Sequence, residues 1–257
     1  MTSTGLKALL LDLDDTLLDN PMATFIPAYF RALTDFVTEI QPPERLIEQL
    51  LIATRTMDGG DGAGPSNGEI FAEVFFAGLG VPREELEPVF ERFYAEAFPK
   101  LRPLTGLRPA APKIVEWARQ RGLQVAIATN PVFPGTAIEQ RMEWAGVGVD
   151  GFEYARVTTY ENSHATKAHP AYYREILAVL GCRPEECLMV GDNWRWDMVN
   201  AAEVGIPGYW IADPSTPAPS ADPMPVGQGS LDDFFEAAGS GVLEESLAVR
   251  TNERLAG

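Results

Sequence analysis

Three carboxylates and a hydroxyl follow an apolar run near the start of the chain, at Asp12, Asp14, Asp15 and Thr16. Such a run is typical of a buried strand in a parallel sheet. In an extended register, Asp12 and Asp14 point to one side, and Leu13 points to the other. Two converging carboxylates repel each other unless a cation lies between them, and their hard oxygen atoms favour magnesium. A turn or a helix N-cap is the alternative that this stretch alone leaves open.

Further polar side chains follow later apolar runs or precede predicted helices. They are Thr129, Asn130, Lys167, Asp192, Asn193 and Asp197. Because the carboxyl ends of parallel strands meet at one edge of a sheet, we expect these side chains to gather beside Asp12 and Asp14. The resulting set of carboxylates, hydroxyls, amides and one ammonium group suits a magnesium ion together with a phosphate group.

The elements that must position these residues alternate between strands and helices after residue 104. Apolar runs predict strands at residues 6–11, 123–128, 152–157, 187–190 and 208–212. Helical spacing predicts helices at residues 109–120, 136–145, 170–180 and 196–204. This alternation indicates an α/β fold with a parallel sheet. Residues 213–229 are predicted to be irregular, residues 231–238 a small docking helix, and residues 239–257 a tail that is either frayed or ordered by crystal contacts.

The segment between the first strand and this alternating part is predicted to be all helical. Apolar spacing favours helices at residues 22–40, 44–56, 69–78 and 83–97. The glycine-rich stretch 58–68 lacks the lysine and hydroxyl of a phosphate-binding loop, so it is either a solvated connection or a mobile lid. We therefore predict a core of residues 1–18 and 104–257 and a helical domain of residues 19–103.

The composition limits the possible partners. The chain has 257 residues and a net charge of −17, so its bulk charge does not attract nucleic acid or an anionic membrane surface. It shows no signal peptide and no apolar stretch long enough to span a bilayer, and we expect a cytoplasmic protein. Cys182 and Cys187 have no neighbouring Cys or His cluster, so we expect reduced thiols and no zinc site.

The ordered set of motifs resembles the haloacid dehalogenase (HAD) superfamily, in its phosphatase branch. The family pattern Asp-x-Asp-x-Thr matches residues 12–16, and the family's Gly-Asp with a later Asp matches Gly191, Asp192 and Asp197. Thr129 matches the hydroxyl residue after the second strand, and Lys167 matches the family lysine. The resemblance covers residues 6–212 and implies a Rossmann-like core with an inserted α-helical cap of the C1 type.

The resemblance also implies a role for each matched residue. Asp12 would be the nucleophile that forms an aspartyl phosphate, and Asp14 the general acid and base. Asp12, Asp192 and the backbone carbonyl of Asp14 would bind Mg²⁺. The residues that would bind phosphate are Thr129, Asn130 and Lys167, and those that would support the site are Thr16, Asn193 and Asp197.

The substrate implied is a small phosphorylated metabolite, and the protein is expected to be a monomer or a homodimer. A phosphomutase and a non-catalytic binding protein remain alternatives, while Asp14 argues against a dehalogenase. Trp194 and Trp196 depart from the family pattern and predict packing either against the cap or a second subunit, or within the core. From their position in the chain, the candidate pocket residues of the cap are Asn20, Phe25, Tyr29 and Arg55.

Overall fold

The computed structural model of the protein describes residues 5–38, 40–243 and 245–247. The strands are β1 (Ala8–Leu11), β2 (Leu18–Asp19), β3 (Gly106–Leu107), β4 (Gln124–Ile127), β5 (Arg156–Val157), β6 (Cys187–Gly191), β7 (Gly208–Ile211) and β8 (Gly227–Gly229). Six of them form a sheet in the order β5-β4-β1-β6-β7-β8, in which every pair is parallel. This arrangement confirms the predicted α/β, Rossmann-like fold class.

Helices cover both faces of this sheet and fill the segment between β2 and β3. They are α1 (Met22–Val37), α2 (Pro43–Asp58), α3 (Asn67–Leu79), α4 (Arg83–Glu96), α5 (Ala110–Gln120), α6 (Gly135–Trp144), α7 (Ala171–Leu180), α8 (Asn200–Glu203) and α9 (Leu231–Ser240). Short 3₁₀ segments occur at Phe98–Leu104 and Pro184–Glu186. None of the helices in the described ranges has both the length and the apolar character needed to cross a membrane.

The central strand β1 shows why the core has two layers. Alternate side chains of a strand face opposite sides of a sheet. Leu9 and Leu11 accordingly pack into the larger core, together with α5, α6 and α9. Ala8 and Leu10 pack into the smaller core, together with α7 and α8. Because both faces are covered, the apolar run is uninterrupted, as the sequence pattern predicted.

Three predicted elements differ from the observed ones. Strand β8 lies in the segment that was expected to be irregular, because two of its three residues are glycines and carry no strand signal. A Cβ atom at Gly227 would overlap the ring of Tyr209, so glycine is required for this close approach. The strand expected at residues 152–157 is limited to β5. The helix expected at residues 196–204 begins instead as a π-helical turn, Trp194–Val199, followed by α8.

The carboxyl-terminal segment is partly ordered against the core. Leu243 and Leu247 are buried in the larger hydrophobic cluster beyond α9. The expected frayed tail is therefore wrong for the described part of this segment. Residues 248–257 lie outside the described residues.

The helical insertion is joined to the core through two adjacent chain crossings. Strands β2 and β3 form an antiparallel pair, so the chain enters and leaves the insertion side by side. The predicted division of the chain into a core and a helical domain, at residues 18/19 and 103/104, stays a prediction. Strands β2 and β3 lie at that boundary. Phe98 stacks on Trp144 of the core helix α6 with ring centroids 5.4 Å apart, and it also contacts Phe25 and Tyr29 of α1.

The glycine-rich stretch 58–68 is exposed at residues 61–65, in agreement with the solvated alternative, and is hydrogen-bonded to the core at both ends. Asp58 Oδ1 accepts a hydrogen bond of 2.7 Å from Thr166 Oγ1. Asn67 is fully buried, and its Nδ2 donates to the carbonyl oxygens of Pro131 and Ala165. These bonds connect the α2–α3 junction to the two core loops that follow β4 and β5.

Replacement of Phe98 tests the aromatic contact between the insertion and the core. We expect Phe98→Ala to lower the free energy of unfolding by about 3–5 kcal/mol, because a fully buried ring leaves a cavity. Leu104→Ala, at a side chain that is 40% exposed, is the control and should change it by less than about 0.5 kcal/mol. Urea unfolding measures both values. Equal effects of the two variants would contradict the packing described here.

Candidate active site

The ends of three neighbouring strands bring the predicted residues to one edge of the sheet. Asp12 follows β1, Thr129 follows β4 and Asp192 follows β6. The ladder continues past the strand ends, since Ala128 N donates to Leu11 O at 2.7 Å and Asp12 N donates to Val190 O at 3.0 Å. Carboxylate oxygens of Asp12, Asp192 and Asp197 lie within 4.8 Å of one another. The predicted convergence of acidic side chains is therefore present.

Lys167 is the cation at the centre of these acids. Its Nζ donates to Asp12 Oδ1 at 2.5 Å and to Asp197 Oδ1 at 2.7 Å, and the side chain is 2% exposed. Burial alone would lower the pKa of this lysine, but the charges of Asp12 and Asp197 outweigh burial and raise it. The ammonium group is thus charged and fixed in position.

The backbone of Lys167 is held from both sides. Its N–H donates to Asn130 Oδ1 at 3.1 Å, and its carbonyl accepts from Asn200 Nδ2 at 2.6 Å. The turn after β4 is also braced, because the Thr129 carbonyl accepts from Thr158 Oγ1 and from the hydroxyl of Tyr172. These bonds place the three predicted phosphate-binding residues on two loops that are connected to each other.

Both carboxylate oxygens of Asp197 accept hydrogen bonds from other residues of the protein, so Asp197 orients the site. Oδ1 accepts from Lys167, and Oδ2 accepts from the backbone N–H of Asn193 at 3.0 Å. Asn193 in turn caps the π-helical turn by accepting from Trp196 N at 3.0 Å. A Cβ atom at Gly191 would overlap the Asp197 carboxylate, which explains why glycine precedes Asp192.

Asp12 and Asp192 are the carboxylates that could bind a metal ion. Thr16 Oγ1 lies between them, 2.9 Å from Asp12 Oδ2 and 3.4 Å from Asp192 Oδ1. Burial, together with the charges of Asp12 and Asp197, raises the pKa of Asp192 to about 8. Carboxylates that are costly to ionise side by side become favourable ligands once a cation is present. The oxygen donors of this pair fit Mg²⁺.

Asp14 faces different partners from Asp12. Its Oδ1 accepts from Asn20 Nδ2 at 2.7 Å, and its Oδ2 accepts from Arg141 Nη1 at 2.5 Å. With both side-chain oxygens bound in this way, only the backbone carbonyl of Asp14 is left as the predicted metal ligand. Burial raises the pKa of the Asp14 carboxyl group, while Arg141 and Asn20 oppose that rise.

Arg141 is a site residue that the sequence analysis missed. It projects from α6, is 1% exposed, and its guanidinium carbon lies 4.6 Å from the centre of the Phe133 ring. Its Nε also donates to the carbonyl of Ala137. An arginine within a helix is normally a surface residue, and no motif marks this one. Its helical spacing from Ala137 and Ile138, which places it on the buried face of α6, is a signal that could have indicated burial.

The candidate pocket residues of the insertion have separate positions. Asn20 contacts Asp14, and Tyr29 lines a cavity between the insertion and the core. Phe25 instead packs in the aromatic core, and Arg55 is exposed.

Trp194 packs on Trp210 of β7 with ring centroids 4.9 Å apart, which agrees with the core-packing alternative.

Comparison with known protein families identifies the relationship. The model of the haloacid dehalogenase-like hydrolases matches residues 6–205. The chain belongs to this family. The matched range includes β1 with Asp12 and Asp14, the helical insertion, and the loops that carry Thr129, Lys167 and Asp192.

Relatives within the HAD family differ in their reactions. A phosphoserine phosphatase from Thermus thermophilus is 32% identical over 149 residues, which is 58% of this chain and 55% of that protein. The chain thus matches about half the length of this curated relative. A HAD phosphatase structure from Thermococcus onnurineus has 22% identity and a TM-score of 0.57, and covers 91% of this chain and 98% of that chain. A 2-haloacid dehalogenase structure from Pseudomonas syringae has 23% identity and a TM-score of 0.63, with 91% and 99% coverage. These two structures show that the fold is shared.

The raised pKa of Asp192 predicts how pH changes the stability of the metal-free protein. Between its ordinary pKa of 3.8 and about 8, the folded protein holds a proton that the unfolded chain releases. Raising the pH through this window therefore destabilises the wild type relative to Asp192→Asn. We expect the variant to melt at a higher temperature than the wild type at about pH 8, and the difference to shrink at about pH 5.

Added Mg²⁺ should reverse this order at the higher pH. It should raise the melting temperature of the wild type and leave that of Asp192→Asn unchanged, because this variant lacks one of the two carboxylates that would bind the ion. Asp150→Asn, at an exposed position, is the control and should behave like the wild type. Differential scanning calorimetry measures these shifts. A similar Mg²⁺ response in all three proteins would place the ion elsewhere.

Proposed function

We propose that this protein is an Mg²⁺-dependent phosphatase that hydrolyses a small phosphomonoester through an aspartyl-phosphate intermediate. The observation that carries this proposal is the contrast between two carboxylates that are two residues apart. Asp12 is paired with the buried ammonium group of Lys167, whereas Asp14 is held by Asn20 and Arg141. One acid is thus suited to attack and the other to transfer a proton.

In the first step, a carboxylate oxygen of Asp12 attacks phosphorus and the P–O bond to the leaving alcohol breaks. The leaving oxygen takes a proton from Asp14, so a neutral alcohol departs and Asp12 carries the phosphoryl group. Burial raises the pKa of the Asp14 carboxyl group, which favours its protonated form. In the second step, Asp14 takes a proton from water, which attacks phosphorus and releases phosphate and free Asp12.

The remaining residues hold the phosphoryl group while it is transferred. Lys167, Thr129 and Asn130 are placed to bind its oxygens, as charge stabilisation in phosphoryl transfer requires. Asp12, Asp192 and the Asp14 carbonyl would bind Mg²⁺, which when present supplies positive charge to the same oxygens. Thr16, Asn193 and Asp197 keep these groups in position through the hydrogen bonds described above.

A panel of phosphate esters, assayed with and without Mg²⁺, tests the proposal. We expect free phosphate from at least one ester, loss of release when the metal is chelated, and no turnover by Asp12→Asn. Far-UV circular dichroism should show that the variant is folded, because an amide replaces the carboxylate without a change of shape. Activity of Asp12→Asn close to that of the wild type would rule out Asp12 as the nucleophile. Transfer of phosphate to another substrate position without release would favour a phosphomutase.

Arg141 is assigned the role of holding Asp14 towards the leaving oxygen. We expect Arg141→Met to reduce kcat/KM for propyl phosphate by about 100-fold, the range found for general acid catalysis. For 4-nitrophenyl phosphate the loss should be below about tenfold, since nitrophenolate leaves without a proton. Arg141→Lys keeps the charge and should recover part of the loss.

The exposed Arg174 of α7 provides the matched control, and Arg174→Met should leave both kcat/KM values unchanged. Thermal melting checks that the Arg141 variants are folded. A purely structural role for Arg141 would reduce hydrolysis of the two esters equally, and that result would contradict the assignment.

A further inference from the structure

A cavity of about 710 Å³ lies between the helical insertion and the core. This volume is typical of pockets that bind small organic molecules. Eight of its lining side chains are aromatic, among them Phe30, Phe71, Phe76 and Phe90 of the insertion and Phe133 and Tyr160 of the core. Asp12 and Asp14 are not among its lining residues, so the cavity is a compartment beside the reacting groups.

Phe133 connects this compartment to the acids. It follows the Thr129-Asn130 turn and forms part of the cavity wall. Its ring also lies under the guanidinium group of Arg141, which holds Asp14. In the proposed reaction the phosphorus lies at Asp12 and the leaving oxygen at Asp14, so the contacts from Asp14 through Arg141 to Phe133 lead from the leaving oxygen to the cavity.

The charged side chains that line the cavity are all engaged with the protein. Glu69 accepts from the backbone N–H and the hydroxyl of Ser66, and Glu161 accepts from Gly135 N. Arg83 and Glu87 form an ion pair of 2.6 Å with each other. His164 Nδ1 lies 3.1 Å from Glu175 Oε1. Arg83 and Glu87 thus neutralise each other, whereas Glu69 and Glu161 keep their negative charges and disfavour an anionic group on a ligand.

The hydroxyl groups of the cavity are mostly committed as well. Tyr29 and Tyr94 bond to each other at 3.0 Å, and Thr54 donates to the Leu50 carbonyl. Among the polar side chains that line the cavity, all within the described ranges, only Tyr160 has a terminal group with no hydrogen bond to the protein. The eight aromatic rings offer a polyhydroxylated sugar no replacement for the bonds to water that it loses against them, which costs free energy.

We infer that the substrate is the phosphate monoester of an alcohol with an uncharged aromatic or similarly bulky apolar tail, which binds in this cavity. The inference rests on the proposed phosphatase activity and defines its substrate class. It separates this protein from phosphoserine, whose carboxylate would enter a cavity lined by Glu69, Glu87 and Glu161, where Arg83 is already paired with Glu87.

Three esters of primary alcohols test the substrate class without a difference in leaving-group chemistry. They are 3-phenylpropyl phosphate, propyl phosphate and phosphoserine. We expect kcat/KM for the phenylpropyl ester to exceed the other two values by about tenfold to a hundredfold, the gain from burying one aromatic ring. Hydrolysis of phosphoserine with the highest kcat/KM would overturn the inference and leave the phosphatase proposal intact.

Two substitutions on the same helix test the place of binding. Ala72 of α3 lines the cavity, whereas Ala77 of α3 is exposed outside it. Ala72→Phe should reduce the ratio of kcat/KM for phenylpropyl phosphate over propyl phosphate by about tenfold, because the new ring fills the space. Ala77→Phe should leave this ratio unchanged. An unchanged ratio in both variants would exclude the cavity as the binding place.

A binding measurement separates the failure of the inference from the failure of the proposed activity. We expect 3-phenylpropylphosphonate, which cannot be hydrolysed, to bind in isothermal titration calorimetry more tightly than propylphosphonate. Ala72→Phe should weaken this preference. Such binding without any phosphate release would support the cavity and refute the phosphatase. Phosphate release from polar esters without this binding preference would refute the cavity assignment alone.

Discussion

The ion pairs of Lys167 are the interaction on which the rest of this site depends. Three carboxylates lie within 4.8 Å of one another at a buried sheet edge, and their mutual repulsion would oppose folding. The ammonium group of Lys167 offsets two of them directly. Asp192 is left without such a partner, and its raised pKa reflects that position. The cluster thus combines one fixed cation, Lys167, with one carboxyl group, Asp192, that has no direct ion pair.

The geometry around Lys167 is maintained by hydrogen bonds to its backbone and to its ion-pair partner Asp197. Asn200 and Asn130 hold its backbone, and Tyr173 donates to Asp197 Oδ1 at 3.4 Å. The loops after β1, β4 and β6 are therefore coupled by hydrogen bonds, not only by the sheet. Rigid support of this kind is what positions charges for phosphoryl transfer without reorganisation during the reaction.

The helical insertion contributes to the site through its aromatic packing. Phe98 joins it to α6 through Trp144, and α6 also carries Arg141. The same core helix therefore contacts the insertion and holds Asp14. Arg141 lies between the proposed proton donor Asp14 and Phe133 of the cavity wall, so the proposed chemistry and the proposed selection of the leaving group share one side chain.

The sequence by itself determined the fold class, most helices and the acidic cluster, because these depend on local periodicity and on the rule that parallel strands end at one edge. Asp12, Thr129 and Asp192 could be named from their places after apolar runs, and Lys167 from its place before a predicted helix. Only the tertiary structure decided that Arg141 is buried against Asp14, since that contact joins residues 127 positions apart. It also decided that β8 pairs with β7 and that Leu243 packs into the core, because backbone pairing and distant apolar contacts leave no local pattern. The cavity has the same origin, since its walls come from segments that meet only after folding.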